Sequence, residues 1–304
     1  MPITTSSRFI SLKLRSLALS ALAAATLVAC GGGGSNNDTL LRLNLTGLES
    51  LGSNAVYEGW LVTAAGPVSS GRFSVDASGT LSQTTFVVPR AQADVATAFV
   101  LTIEPAVNDL PAPTATHLLA GDFNADKTAA TVSMQHAAAL GNNFSSAAGS
   151  FILATPSTAV TTDDNQGIWW LKMVAGAAQA GLTLPTLPAG WVYEGWVVVN
   201  GTPTSTGRFT SVSAADSDGA GSSAGPLGSP AFPGQDFITP PLVLSGGTAV
   251  ISIEPQPDNS PAPFTLKPLV ATIGSATGGA NPQTMTNNTG AAGQTLAGSV
   301  SLLR

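Results

Sequence analysis

The chain has 304 residues, enough for about two domains of ~150 residues, and only 9% are charged, with 33 glycines and 21 prolines. Lys and Arg number 11 against 17 Asp and Glu, and no stretch carries a basic run, which excludes a surface built for nucleic acid. Two histidines (His117, His136) and one cysteine (Cys30) exclude an internal disulfide and a Cys/His zinc site, and no cofactor is expected.

Residues 1–29 divide into a basic stretch with Arg8, Lys13 and Arg15 and an apolar run from Leu17 to Ala29, with no acidic residue before Asp38. That arrangement is a secretory signal, too short for an ordinary spanning helix. Its end, Leu27-Val28-Ala29-Cys30, resembles the lipobox of bacterial lipoproteins. The resemblance implies that the Cys30 thiol takes a diacylglyceryl group, that cleavage follows Ala29, and that the new amino terminus is acylated, as by palmitate. The thiol suits that role as the strongest nucleophile in the chain. Several acyl chains hold a protein far better than one, at ~0.8 kcal/mol per buried methylene. Residues 30–40, rich in Gly, Ser and Asn, then form a flexible tether. Loss of residues 1–29 leaves 8 cations against 17 acids, a net charge of −9. Gly31-Gly32 lacks the Asp that resembles an inner-membrane retention signal, so the outer membrane is expected where there are two.

The remainder is one unit written twice. Val56-Tyr57-Glu58-Gly59-Trp60-Leu61-Val62 recurs as Val192-Tyr193-Glu194-Gly195-Trp196-Val197-Val198, and Ser69-Ser70-Gly71-Arg72-Phe73 recurs as Ser205-Thr206-Gly207-Arg208-Phe209, both at an offset of 136. Ile103-Glu104-Pro105 and Pro111-Ala112-Pro113 recur as Ile253-Glu254-Pro255 and Pro261-Ala262-Pro263 at an offset of 150. The change of register puts an insertion at about 211–245, in a polar Gly/Ser-rich stretch suited to a surface loop. Copy one is taken as 41–155 and copy two as 156–304.

Within each copy the apolar period is two. Leu41, Leu43 and Leu45 alternate with polar residues. Val56–Val62, Phe99–Ile103 and Ala249–Ile253 read as strands, and Phe151–Leu153 pairs with Ile168–Met173 around a turn at 161–167. Gly and Pro punctuate the runs as in β-sandwiches, and only Ala175–Ala180 could form a short helix. The expectation is all-β: two tandem β-sandwich (immunoglobulin-like) lobes. Turns at Ala65-Gly66-Pro67 and Asn200–Pro203 set Trp60 opposite Phe73 and Trp196 opposite Phe209, read as core aromatics. Trp169-Trp170 puts its rings on opposite faces, an arrangement that leaves room for at least one to be partly exposed. Trp191 precedes the central strand of the second copy, and both it and the pair are read as core ahead of a carbohydrate platform.

The string Tyr57–Val62, the turn, Gly71-Arg72-Phe73, Ile103-Glu104-Pro105 and Pro111-Ala112-Pro113 resembles the C-terminal domain of anti-sigma-K factors. The resemblance covers roughly 42–120 and 182–272. It implies an extracytoplasmic β fold, in that family part of a membrane protein whose cytoplasmic domain holds a sigma factor. This chain carries no His-x3-Cys-x2-Cys motif.

Catalytic candidates are few, because the histidines occur only in copy one, each in a loop-like context. Glu58, Glu104, Glu194 and Glu254 recur in both copies and are expected to accept hydrogen bonds at strand ends, with Arg72 and Arg208 as partners. Asp122, Asn124 and Asp126 have the start of a calcium loop, but Lys127 and Ser133 stand where Gly and Glu are needed; a polar turn is the better reading. Asp216-Ser217-Asp218-Gly219 and Asp163-Asp164-Asn165 are weaker still. The function expected is that of a non-enzymatic envelope lipoprotein, held to the membrane through Cys30 and acting as a binding, scaffolding or sensory module with a possible envelope protein partner. The alternative is an envelope-side component of an anti-sigma system.

Overall fold

The computed structural model describes residues 37–257 and 260–304; the signal sequence, Cys30 and tether residues 31–36 lie outside the described residues, and Asp38–Leu40, taken above with the tether, belong to a strand. The first copy supplies β1 (Asp38–Thr46), β2 (Ala55–Thr63), β3 (Gly66–Phe73), β4 (Thr85–Pro89), the helix α1 (Arg90–Val95), β5 (Ala98–Pro105), β6 (His117–Asp122), β7 (Ala129–Ser133) and β8 (Ala148–Leu153). The second copy opens with β9 (Gly167–Trp169), β10 (Leu171–Val174), β11 (Ala177–Ala180) and β12 (Leu182–Thr183). It continues with β13 (Trp191–Val199), β14 (Thr202–Phe209), β15 (Gly234–Asp236), β16 (Thr248–Pro255), β17 (Leu269–Thr272), β18 (Gln283–Asn287) and β19 (Ala297–Leu303). Two large antiparallel sheets make two β lobes, so the all-β expectation holds.

Alternation in the sequence becomes the two faces of each sheet. In β1, Leu41, Leu43 and Leu45 are buried while Leu40, Arg42 and Asn44 face out. The first sheet runs β3-β2-β5-β6-β7-β19-β1-β4, and it curls until its edge strands approach, with Phe73 of β3 and Phe86 beside it at 6.1 Å between ring centroids. The second runs β14-β13-β16-β17-β18-β8-β9-β15, with β12 also on β8.

These orders show a reciprocal exchange. Ala148-Gly149-Ser150 opens β8 as Ala297-Gly298-Ser299 opens β19. β8 lies in the second sheet, with Gly149 opposite Met285 and Leu182. β19 lies in the first, with Gly298 opposite Val132 and Leu45. Each copy therefore gives its last strand to the other's sheet. Division of the chain into 41–155 and 156–304 follows the repeat in sequence but not the sheets. Both glycines sit where backbones crowd: a Cβ on Gly298 would fall 2.2 Å from the Asn44 carbonyl oxygen, and one on Gly149 2.9 Å from methyl carbons of Leu182 and Leu269.

The hairpin register differs from expectation. Tyr57, not Trp60, faces Phe73, and Trp60 faces Ser69; Tyr193 faces Phe209 and Trp196 faces Ser205. In the first copy the turn is Ala64-Ala65, with Gly66-Pro67 already in β3, and a bulge lies between Gly59 and Trp60. In the second, Asn200 (φ 52°) and Gly201 (φ 78°) make the tight turn, the left-handed pair that suits strand twist. Tyr57 stacks on Phe73 at 5.5 Å and Tyr193 on Phe209 at 5.9 Å. Trp60 turns the other way and packs on Val100, Ala120 and Ala139. Its indole N–H donates to Thr102 Oγ1 at 2.9 Å, as that of Trp196 does to Ser252 Oγ at 2.8 Å.

The core reading of the tryptophan pair holds, and the helix expectation is corrected. Trp169 and Trp170 do point to opposite sides, but both are 0% exposed, because each indole N–H finds an interior acceptor, Asp236 Oδ1 and Thr206 Oγ1. Ala175–Ala180 is not helical: β10 and β11 form a two-stranded ribbon with Ala175 and Gly176 at positive φ in its turn, and the short α-helix stands instead at α1.

The central glycine of the Tyr-Glu-Gly-Trp motif has a steric cause. A Cβ on Gly195 would lie 2.3 Å from Thr206 Oγ1 and 2.5 Å from Trp170 Nε1; one on Gly59 would lie 2.5 Å from Ser70 Oγ and 2.7 Å from the Phe99 ring. Gly195→Ala should therefore cost about 2 kcal/mol by overpacking. Gly228→Ala, where nothing lies within 4 Å, should stay within about 0.5 kcal/mol of wild type in the same urea titration.

Candidate functional site

The four repeated glutamates are buried, between 0% and 5% exposed, and each is held by hydroxyl or backbone donors. Glu58 accepts from Ser69 Oγ and pairs with Arg72 Nε at 3.3 Å. Arg72 also donates to the Pro105 carbonyl and lies 3.6 Å from Asp109. Glu194 accepts from Ser205 Oγ at 2.5 Å and stands opposite Arg208 in the ladder. The second pair repeats another pattern. Glu104 accepts from Thr102 Oγ1, two residues back, and from the Thr114 N–H at 2.9 Å; Glu254 accepts from Ser252 Oγ and from the Phe264 N–H at 2.9 Å. In both, a side chain at the end of a strand fixes the backbone ten residues later, where the proline-rich segment returns to the sheet.

That placement builds a cleft. The ends of β5 and β16 converge on a cavity of about 640 Å³, so the two Ile-Glu-Pro motifs, far apart in sequence, share one site. Glu104 and Pro105 line it from one copy, Glu254 and Pro255 from the other, with Glu49 and Phe264 alongside. Glu104 Oε2 is buried without a hydrogen-bond partner. Burial, opposed by the Thr102 and Thr114 bonds, raises its carboxyl above the ordinary range. Lys267 is held below the usual lysine range by burial, against the pull of Glu49 and Glu254. The phenol of Tyr57, raised by burial, donates to the Glu49 carbonyl at 2.9 Å, and Tyr193 does the same to Pro185 at 2.6 Å. The cleft thus offers proline and aromatic walls with carboxylates set into them.

The insertion of the second copy carries acidic groups that the sequence alone did not single out as partners. Asp236 is fully buried. It accepts from the Ser157 N–H at 2.9 Å and hydroxyl at 2.5 Å, and from the Trp169 indole at 2.8 Å. Burial raises its carboxyl against those three bonds. No short motif marks it, since its partners lie 67 and 79 residues away. Asp216 and Asp218 converge over Gly207, where a Cβ would meet both carboxyl groups within 2.6 Å. Burial, with Asp218 adding to it against the Gly234 N–H, pushes Asp216 up to about 6.

The calcium-loop residues take the form of a polar turn. Asn124 Oδ1 accepts the Thr128 and Ala129 N–H groups at 2.8 and 3.2 Å, and Lys127 adopts φ 54°. Asp122 faces His136 Nε2 at 3.5 Å, while His117 Nδ1 is 2.9 Å from the Ala138 carbonyl. Among the described residues no three His, Cys, Asp or Glu side chains are grouped to hold a metal. All five tryptophans are buried, which leaves no indole platform for a sugar. Among the described residues no helix is long and apolar enough to cross a membrane. No protein-family model, curated protein or solved structure matches the chain.

The Glu104 geometry makes a prediction. Its folded-state carboxyl is raised, so the folded state holds the proton more tightly than the unfolded one. The stability that results is complete below the ordinary glutamate range and is lost as pH rises through the raised value. Glu104→Gln, which keeps an oxygen for the Thr114 N–H, should flatten the fall of the denaturation midpoint from pH ~4.5 upward. Glu104→Ala orphans that N–H and should cost about 2 kcal/mol.

Proposed function

We propose that this protein is a lipid-anchored envelope protein whose paired β lobes bind or sense rather than catalyse. The observation that carries the reading is the sequence Leu27-Val28-Ala29-Cys30 after a basic and apolar leader, with the one thiol of the chain at the position where an acyl anchor is attached. A binding role is supported by the employment of the acidic groups. Glu58, Glu104, Glu194, Glu254 and Asp236 accept hydrogen bonds from the fold itself, and the two histidines lie on neither the cleft nor the insertion loop. The cleft between the Ile-Glu-Pro motifs is the place for a ligand of the envelope. A regulatory variant of the reading, an envelope-side part of an anti-sigma system, rests on the resemblance over 42–120 and 182–272, and a sigma-factor gene beside this one would favour it.

Intact-mass and amino-terminal peptide analysis of membrane-extracted protein tests the anchor. The expected result is a chain that begins at Cys30 and carries diacylglyceryl and acyl groups, with Cys30→Ser left unmodified. An unprocessed amino terminus in the wild type would overturn the reading.

A further inference from the structure

At the end of the first lobe where β1 begins, three apolar side chains form an exposed row across three strands. Leu40 of β1 lies opposite Val87 of β4 on one side and Leu303 of β19 on the other. Their exposures are 42%, 66% and 46%. Alternation explains the row, since all three point away from the core that Leu41, Val88 and Leu302 fill from the next positions. Alternation does not explain the residue type, because the outward side of a one-sided sheet is ordinarily polar. Further along the same face the outward positions are polar: Arg42 and Asn44 on β1, Thr85 on β4, Ser301 and Ser299 on β19. The apolar residues are confined to one end.

That end is where the chain enters. Seven residues, 31–37, separate Cys30 from Asp38, a span of at most about 29 Å when fully extended. A three-strand apolar row two residues beyond that point is held within reach of whatever surface the cysteine is attached to. Arg42 stands beside the row, and Arg90 and Arg304 share Asp94 at 3.7 and 3.0 Å, so long cationic side chains border the apolar residues. Such a border suits lipid headgroups, with the stems on the apolar boundary and the charges above it. The cleft is at the opposite end of the lobe, because β1 runs from Asp38 toward Glu49, and β5 runs toward Glu104 and Pro105 antiparallel to β2.

We propose that the Leu40, Val87 and Leu303 row is a membrane-contact face that lays the first lobe against the lipid surface and turns the cleft away from it. The proposal rests on the lipid-anchor reading of Cys30. Its test uses the full lipidated protein in vesicles of phosphatidylethanolamine with a minor share of phosphatidylglycerol and brominated acyl chains. A bimane is placed on Val87→Cys or, as the reference at the far end, on Val107→Cys, which is 74% exposed. Both sites are on the surface, and Cys30 is blocked by its lipid. The expected result is at least about twofold greater quenching at 87 than at 107, abolished by Leu40→Glu with Leu303→Glu. Equal quenching at the two sites in protein that floats with the vesicles overturns the contact face and leaves the anchor standing. Protein that lacks the acyl mass on Cys30 overturns both. A probe at 87 that cross-links to another envelope protein in cells, without quenching in vesicles, assigns the row to a protein partner and overturns the membrane assignment.

Discussion

The constraint on which the architecture depends is the exchange of β8 and β19. A strand inside a sheet must have both rows of backbone groups satisfied. Here the strand between β7 and β1 comes from the end of the second copy, and the strand between β18 and β12 from the end of the first. Neither sheet is complete within its own copy. Removal of β19 would leave β7 and β1 as open edges in the middle of the first sheet, the situation that sheet proteins avoid. Asn287 adds to the link from the second copy, donating through Nδ2 to the carbonyls of Phe144, Ser145 and Ala147 at 3.1, 3.2 and 2.8 Å. The duplication is a covalent pair of interlocked lobes rather than two beads on a string.

The repeated glutamates tie further segments of the chain together. Burial of a carboxyl group costs free energy unless donors surround it. Glu58 and Glu194 accept from a serine hydroxyl on the neighbouring strand, and Glu104 and Glu254 from a hydroxyl two residues back and a backbone amide ten residues on. Glu104 and Glu254 hold the proline-rich returns against the sheets, and in doing so set Pro105 and Pro255 into one cleft. A site made from the same motif twice has an approximate symmetry that a single active-site acid would not need. Asymmetry enters through the inserted loop, whose Asp236 is tied to Ser157 and Trp169, and through Trp191, which leans on Phe264 at 6.1 Å where the first copy has Ala55.

Much of the fold was legible because period and repeat are properties of neighbouring residues. Leu41-Arg42-Leu43-Asn44-Leu45 states its own two faces, and the recurrence of Tyr-Glu-Gly-Trp announces the doubled β lobe. The strand exchange was not legible, since an identical pattern of inward residues is written whether a strand returns to its own sheet or to the other. The hairpin register failed for a local reason: one bulged residue at Gly59/Trp60 and a turn at Ala64-Ala65 moved Phe73 from Trp60 to Tyr57. The buried glutamates were legible from their duplication, and Arg72 is the partner of Glu58 as the sequence suggested. The serine and threonine donors were hidden, being common residues two to eleven positions away. The core placement of Trp169 and Trp170 was legible, whereas the acceptors of their indole N–H groups, Asp236 and Thr206, come from distant segments and were not.

Interlocking has a direct thermodynamic consequence. Lobes joined only by a linker can unfold one at a time, whereas lobes that each own a strand of the other must open together. Hydrogen exchange read by mass spectrometry across a urea series measures this, with peptides from β5 reporting the first sheet and peptides from β16 the second. The account predicts that both lose protection at a single urea midpoint with one apparent m-value. Separate midpoints, with one sheet fully exchanged while the other stays protected, would contradict it.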